Sequence, residues 1–372
     1  MTTIKNPDSD AELTKKKSIG KVIVKTFLIV TGILLGGIII AAAGYVYHNL
    51  NYYKAPLRQT MKAGFVEKQV TLVDGTLLNY AEGADNGPAL LLIHGQGVAW
   101  EDYAKVLPKL SEYYHIYAID CHGHGESSKN PEKYSAEAMG TDFVWFIENV
   151  IGEPAVISGH SSGGLLTAWL AANSPENVLG IVLEDPPFFS SEASRTEKTF
   201  AWVDSFEPIH RFLHQNEEDD WTLYYLQNSY WLKFFGDGRE GILNYAISYR
   251  EKHPNEKLEI FFLPPSITNI FRSMDLYDPA FGDSFYDASW MENFDHAETL
   301  AKINCPSVLI HTNWSIDANG ILLAAMSGED AERAHSLIAN NVLVDIDSGH
   351  DSHFEKPKEF TQILIDFLDQ LE

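Results

Sequence analysis

Hydrophobic and polar positions alternate along most of this chain with the periods of strands and helices in turn. Ala89–Ile93 is wholly apolar, which is typical of a strand buried on both faces of a parallel sheet. Apolar runs on either side of Asp74-Gly75 predict a hairpin. The predicted elements are the hairpin 65–81, the strands 89–93, 116–119, 155–158, 179–183, 307–310 and 342–346, and the helices 100–110, 136–150, 162–172, one after 319, and 358–371. Short apolar strands alternating with helices predict an α/β fold with an open, mostly parallel sheet.

This alternation stops between residues 187 and 298. The stretch holds 24 of the 45 aromatic residues of the chain and shows no strand pattern. Its aromatic clusters at 221–225 and 230–235 fit helices. We expect a helical insertion over one end of the sheet. Most of its aromatic side chains would pack its own small core, and those facing the sheet would form an apolar pocket wall.

The N-terminal region has a different pattern. Residues 26–47 contain no charge, and a helix of that length spans roughly 33 Å, enough to cross a bilayer core. Lysines precede this segment, so the positive-inside rule predicts that residues 1–25 are cytoplasmic and that all residues after 47 are outside. A secreted protein with a signal peptide cleaved near Ala41-Ala42-Ala43 is the alternative. The apolar region of a signal peptide is about 7–15 residues long, so the length favours an uncleaved transmembrane signal anchor in the cell membrane.

Charge excludes one class of partner. The chain has 27 Lys+Arg and 52 Asp+Glu, a formal net charge of −25. Residues 1–47 carry six lysines and three acidic residues, so the remainder carries −28. Such a surface repels phosphate backbones, and we therefore expect no nucleic-acid partner.

Three glycine-rich loops follow predicted strands. Gly159-His160-Ser161-Ser162-Gly163 matches G-x-S-x-G at a strand-to-helix junction, where a sharp turn needs small neighbours on both sides of the serine. His94-Gly95-Gln96-Gly97 follows the strand 89–93, and the D-x-x-G-x-G-x-S loop from Asp120 to Ser127 follows the next strand. In this order the three motifs resemble those of the α/β-hydrolase superfamily.

The resemblance implies an α/β-hydrolase fold, with a mostly parallel eight-stranded sheet flanked by helices. Residues 65–186 and 301–372 would form its two core segments, and 187–298 would be the family's variable cap.

The resemblance also implies roles for single residues. Ser161 would be the nucleophile, and the backbone N–H groups of Ser162 and Gln96 would form the oxyanion hole. His350, in a stretch similar to the family's G-H-x-x-H-x-x-x-P, would be the base. His353 is expected to cap or pack against the last helix.

The acid of the triad is open at this point. A serine–histidine pair needs a carboxylate to fix the imidazole tautomer. In this family the acid usually follows the seventh strand, where Asp317 is the nearest carboxylate, although the commonest slot falls on Ser315. Asp185, at the end of the sixth strand, is an alternative position in some members. We favour Asp317 and keep Asp185, or neither, as alternatives.

The serine in the G-x-S-x-G turn argues against epoxide hydrolase and haloalkane dehalogenase chemistry, because those enzymes of the superfamily use a carboxylate as the nucleophile at this position. We expect a membrane-anchored extracytoplasmic serine hydrolase, a carboxylesterase acting on a small apolar ester through an acyl-enzyme. Neither a metal nor a cofactor is expected. A C–C bond hydrolase or peptidase of the same fold, or a ligand-binding protein of low turnover, remains the alternative.

Overall fold

The computed structural model of this chain describes residues 7–371. Residues 1–6, within the predicted cytoplasmic segment 1–25, and residue 372, the last of the predicted second core segment, lie outside the described residues. The chain divides into two compact units, one containing the first helix together with Phe261–Pro264 and the other beginning at Tyr52.

The first unit is dominated by the helix α1, Pro7–Asn51. Within its stretch Lys15–Asn51, an apolar segment of 18 residues has a mean hydropathy of 2.4, and none of that segment is buried. The helix is therefore long and apolar enough to cross a membrane, as the sequence predicted for 26–47, and a signal sequence would share these properties. Within this unit the Asn49 side-chain amide donates a hydrogen bond to the carbonyl of Phe261, at 2.9 Å.

The second unit is built on an eight-stranded sheet with the strand order β1-β2-β4-β3-β5-β6-β7-β8. β2 pairs antiparallel with β1 and β4, and all the other pairs are parallel. The strands are β1 Val66–Thr71, β2 Leu77–Glu82, β3 Ala89–Ile93, β4 His115–Ile119, β5 Ala155–His160, β6 Val178–Glu184, β7 Ser307–His311 and β8 Asn341–Asp345. Because β3 to β8 run parallel, the loops that follow them meet at one edge of the sheet, where ligands bind in open α/β folds.

Helices cover the sheet on the predicted pattern. β3 is buried along its whole length, and Phe360, Leu364 and Phe367 of the last helix pack into the same core. After α1 the helices are α2 Lys54–Lys62, α3 Leu107–Leu110, α4 Ala136–Phe146, α5 Ser162–Asn173, α6 Glu207–Leu213, α7 Trp221–Asn228, α8 Gly238–Lys252, α9 Pro265–Thr268, α10 Pro279–Tyr286, α11 His296–Lys302, α12 Gly328–Leu337, α13 Ser352–Glu355 and α14 Pro357–Phe367. The helices α6 to α11 all lie between β6 and β7 in the chain, together with short 3₁₀ and π turns.

Two predicted helices differ from the structure. The helix predicted over 100–110 is a 3₁₀ turn, Trp100–Lys105, followed by the one-turn α3, which has a proline in its first turn. The helix expected after Asn319 begins only at Gly328. Gly320 adopts a positive φ of 78° in a turn, and Ser327 with Asp330 forms the capping box that starts α12.

Candidate active site

Ser161, the predicted nucleophile, lies at the junction of β5 and α5 in a strained conformation. Its φ of 54° and ψ of −120° are rare for a residue with a side chain. The turn is held by a hydrogen bond from the Ser161 N–H to the carbonyl of Glu184 on β6, at 2.9 Å. The sharp strand-to-helix turn that the G-x-S-x-G motif predicted is therefore present.

Close packing explains the glycines around this turn. A Cβ on Gly159 would lie 2.1 Å from the carbonyl oxygen of Gly163, and one on Gly163 would lie 2.2 Å from that of Ile93. Both contacts are with backbone, which cannot move aside as a flexible side chain can. A Cβ on Gly95 would meet the His160 ring at 2.9 Å, so the loop after β3 touches the elbow.

At this junction the backbone N–H groups of Gln96 and Ser162 have no backbone acceptor within the described part of the chain. His94 fixes the loop that carries Gln96. Its Nδ1–H donates to the carbonyl of Gly95 at 2.7 Å, and its Nε2 accepts from the N–H of Cys121 at 3.0 Å. Burial lowers the pKa of His94 to about 4, which keeps the ring in the neutral form that this arrangement requires.

His350, the predicted base, pairs with Asp185. Its Nδ1 lies 2.7 Å from Asp185 Oδ2, and the Thr312 hydroxyl donates to the same oxygen at 2.8 Å. Burial acts to lower the pKa of His350, but the hydrogen bond and the charge of Asp185 outweigh it and raise the pKa to about 9. The His350 ring also lies 4.5 Å, between centroids, from the ring of His160, the neighbour of Ser161 in the chain.

The Ser161 hydroxyl forms no hydrogen bond with any described residue. His350 uses Nδ1 for its contact with Asp185, so Nε2 is the ring nitrogen that could face Ser161. Catalytic hydrogen bonds are often long until substrate binds, so the absence of this bond does not by itself argue against a nucleophile–base pair.

Asp317 does not contact His350, which corrects the favoured assignment of the acid. Its carboxylate instead accepts hydrogen bonds from the N–H groups of Asn319 and Ile321, at 2.8 and 2.9 Å, and from the Tyr230 hydroxyl. The Tyr230 hydrogen bond and then these backbone bonds lower the pKa of Asp317 to about 2. The carboxylate is engaged in its own turn and in a contact with the insertion, so Asp185, the alternative, is the carboxylate that the geometry pairs with His350.

Comparison with known proteins identifies the family of this chain. Residues 88–357, well over half of the chain, match the model of the α/β hydrolase fold family. The chain belongs to the α/β-hydrolase superfamily. It is 34% identical over 125 residues to bifunctional epoxide hydrolase 2 of Sus scrofa, covering 33% of this chain and 22% of that protein. It is 30% identical over 135 residues to (E)-2-((N-methylformamido)methylene)succinate hydrolase of Acinetobacter baylyi, covering 35% and 49%. The chain thus matches less than half the length of these relatives.

Solved structures agree at the level of the fold. An esterase, RhEst1 from Rhodococcus, superposes with a TM-score of 0.58 and 20% identity, covering 82% of this chain and 99% of its own. A membrane phospholipase A described as a bacterial virulence factor superposes with a TM-score of 0.56 and 20% identity, covering 94% and 99%. At this identity the likeness shows a shared α/β-hydrolase fold.

A buried ion network lies beside the candidate site of this α/β-hydrolase. His353 Nδ1 lies 2.9 Å from Glu184 Oε2, and its Nε2 lies 3.0 Å from Asp102 Oδ2. Because both ring nitrogens face carboxylates, the ring is an imidazolium. Burial opposes its charge, but the charges of Glu184 and Asp102 raise the pKa of His353 well above its usual value.

Like Asp102, Glu184 is a residue of this network that sequence reasoning missed. Its carboxylate accepts from the Ser352 hydroxyl and from the His353 N–H, while its carbonyl holds Ser161. The next residue, Asp185, holds His350. The signal was present, because two adjacent acids ending a buried strand need partners. The expected packing of His353 on the last helix is also present, with its ring 5.8 Å from that of Phe360.

Side chains of the insertion between β6 and β7 contact Gln96, in the loop that follows β3. The Gln96 amide donates to Ser205 Oγ at 3.0 Å and to the Tyr277 hydroxyl at 2.9 Å. A Cβ on Gly97 would lie 3.5 Å from the side chain of Ile270. Residues between β6 and β7 therefore lie directly over the loop that carries the Gln96 N–H.

His160, His350 and Asp351 each place one possible metal-ligand atom within 4.8 Å of the others. A metal held there would occupy His350, the predicted base, so metal binding would compete with the predicted serine hydrolase chemistry.

Proposed function

We propose that this α/β-hydrolase is a membrane-anchored serine hydrolase that cleaves carboxylic esters with Ser161, His350 and Asp185. The observation that carries the proposal is the strained turn at Ser161, beside the unpaired N–H groups of Gln96 and Ser162. A serine in such a turn presents its hydroxyl to a substrate, and two free donors nearby suit the oxyanion of a tetrahedral intermediate.

In the proposed reaction His350 Nε2 takes the proton of the Ser161 hydroxyl as the oxygen attacks the ester carbonyl. The carbonyl π bond opens, and the resulting oxyanion accepts hydrogen bonds from the Gln96 and Ser162 N–H groups. Collapse expels the alcohol, which receives the proton from His350, and leaves an acyl-enzyme. Water then attacks the acyl carbon as His350 takes one of its protons. The second tetrahedral intermediate releases the carboxylic acid, and the Ser161 oxygen takes the proton back from His350. Asp185 holds His350 Nδ1–H throughout and stabilises the imidazolium.

The surroundings support an apolar, uncharged ester. Aromatic residues are concentrated in the insertion that lies over the oxyanion loop, and the net charge of −28 after residue 47 repels anionic substrates. An ester is a less demanding substrate than an amide, because its alcohol leaving group needs less help from protonation than an amine does.

The test is a hydrolysis screen with p-nitrophenyl esters of graded acyl length, together with labelling by a serine-directed fluorophosphonate. We expect hydrolysis of these esters and labelling of the wild-type protein. Ser161→Ala should lose labelling and lower kcat by about 10⁴-fold or more, since the members of a triad act as a unit.

Ser336→Ala, which changes an exposed serine on α12, is the matched control and should keep both properties. Retained hydrolysis in Ser161→Ala would overturn the serine mechanism. Labelling of the wild type without turnover of any ester would favour another acyl substrate.

A further inference from the structure

A cleft that neither Ser161 nor His350 lines lies in the unit that begins at Tyr52. Tyr52 and Tyr53, the first residues of that unit, form part of its wall. Three cationic side chains also line it, Lys105, Lys257 and Arg272. The grouping is unusual in a unit with far more acidic than basic residues.

These cations are not neutralised by ion pairs. Within residues 7–371, neither Lys257 nor Arg272 forms an ion pair with a carboxylate. The Arg272 guanidinium stacks 3.2 Å from the centre of the Tyr53 ring, an arrangement that leaves its N–H groups available at the edge. Lys105 donates to the carbonyl of Phe354 at 2.8 Å, which uses one of its three N–H donors.

The cleft holds these positive charges at some cost. Burial lowers the pKa of Lys105 and of Lys257. For Lys257 the charge of Glu101 acts against burial, and the charge of Arg272 acts with it. An anion placed among these side chains would stabilise the charged form of both lysines.

Two carboxylates also line the cleft, and among the described residues neither forms an ion pair with one of its three cations. Asp102 is already paired with the His353 imidazolium and accepts a hydrogen bond from the Asn269 amide. Burial and the charge of Asp120 raise the pKa of Glu101, and the charge of Lys257 acts against this shift.

We propose that this cleft binds a phosphate group, held by Lys257 and Arg272 with Lys105 beside them. The guanidinium of an arginine matches a tetrahedral oxyanion with two parallel donors, and lysine adds a compact charge. Tyr52 directly follows α1, the proposed membrane anchor, so an anionic phospholipid headgroup and free phosphate are the two sources of such a group.

Binding is tested on the full chain in a nonionic detergent by equilibrium dialysis against two radiolabelled probes, inorganic phosphate and dihexanoyl phosphatidylglycerol. Dihexanoyl phosphatidylcholine measures partition into the detergent. We expect saturable binding of at least one anionic probe to the wild type. The double variant Lys257→Gln/Arg272→Gln should bind it at least tenfold more weakly, with an unchanged thermal melting profile. Tighter binding of phosphatidylglycerol than of phosphate identifies the headgroup as the source, and the reverse identifies free phosphate.

Two further variants test whether the effect is specific to the cleft and to charge. Lys302→Gln removes an exposed lysine of α11 outside the cleft and should bind as the wild type does. Arg272→Lys keeps the charge and should retain more binding than Arg272→Gln. The proposal is overturned if the wild type binds neither anionic probe saturably, or if the double variant and the wild type bind with equal affinity. None of these readouts depends on ester hydrolysis, so the outcome is independent of the proposed reaction.

Discussion

At the scale of single residues, the pairing of His350 with Asp185 makes a prediction about pH. The Asp185 carboxylate raises the pKa of His350 to about 9 against the effect of burial. A general base works only when neutral, so kcat/KM for an ester should fall as the pH falls below that pKa. Asp185→Asn removes the charge, which lowers the pKa of His350 and moves this acid limb to lower pH. It should also lower kcat by about 10⁴-fold, as the equivalent change does in a serine protease.

Asp317→Asn is the matched control for this prediction. Asp317 contacts Tyr230 and its own turn and not the base, so its replacement should leave the acid limb in place and change kcat by less than about tenfold. The reverse result, an inactive Asp317→Asn and a nearly normal Asp185→Asn, would contradict the pairing seen in the structure.

At the scale of elements, the end of β6 contacts Ser161 through the Glu184 carbonyl, His353 through the Glu184 carboxylate and His350 through Asp185. Burial acts to raise the pKa of Glu184, but the charge and hydrogen bonds of His353 lower it to about 2. The ion pair therefore stabilises the fold above the unfolded pKa of glutamate, about 4.3, and this stability is lost as the pH falls towards 2. Glu184→Gln should cost about 3–5 kcal/mol of the free energy of unfolding at neutral pH, because it leaves a buried cation with one carboxylate fewer.

A double-mutant cycle measures this coupling by chemical denaturation. Glu184→Gln/His353→Gln removes the cation as well, so its cost should be smaller than the sum of the two single costs by about 0.5–3 kcal/mol. Strictly additive costs would show that the two side chains do not depend on each other. The stability of Glu184→Gln should also depend less on pH in the acid range than the stability of the wild type does.

The elements also show what a single sequence could predict. β3 was located to the residue, because a run of five apolar residues admits few other structures. The turn at Ser161 followed from its glycine neighbours. The acid could not be assigned, since Asp185 and Asp317 both follow strands that end at the same sheet edge. Their difference lies in partners distant in sequence, Thr312 and His350 for one and Tyr230 for the other.

At the scale of the whole molecule, charge is divided at the apolar segment. Residues 1–47 carry +3 and the remainder carries −28, with the lysines before the apolar stretch of α1. With lysines on the N-terminal side of the apolar stretch, the positive-inside rule favours an orientation in which residues 1–25 are inside. The exposed side chains of α1 agree with a lipid environment, since Phe27, Ile33 and Ile40 are each more than 60% exposed in the isolated chain.

The corresponding prediction concerns the anchor. We expect the full-length chain to sediment with membranes and to resist carbonate extraction, because about 20 apolar residues in a helix are held by the bilayer core. A truncated chain that begins at Tyr52 retains every proposed catalytic residue and should be soluble, with kcat for a p-nitrophenyl ester within about threefold of the full-length value, because no proposed catalytic group lies in α1. Sequencing the N-terminus of the mature protein separates the two interpretations of α1. An intact N-terminus supports the anchor, whereas a mature chain that begins near Gly44 and remains in the supernatant would show that the segment is a cleaved signal peptide.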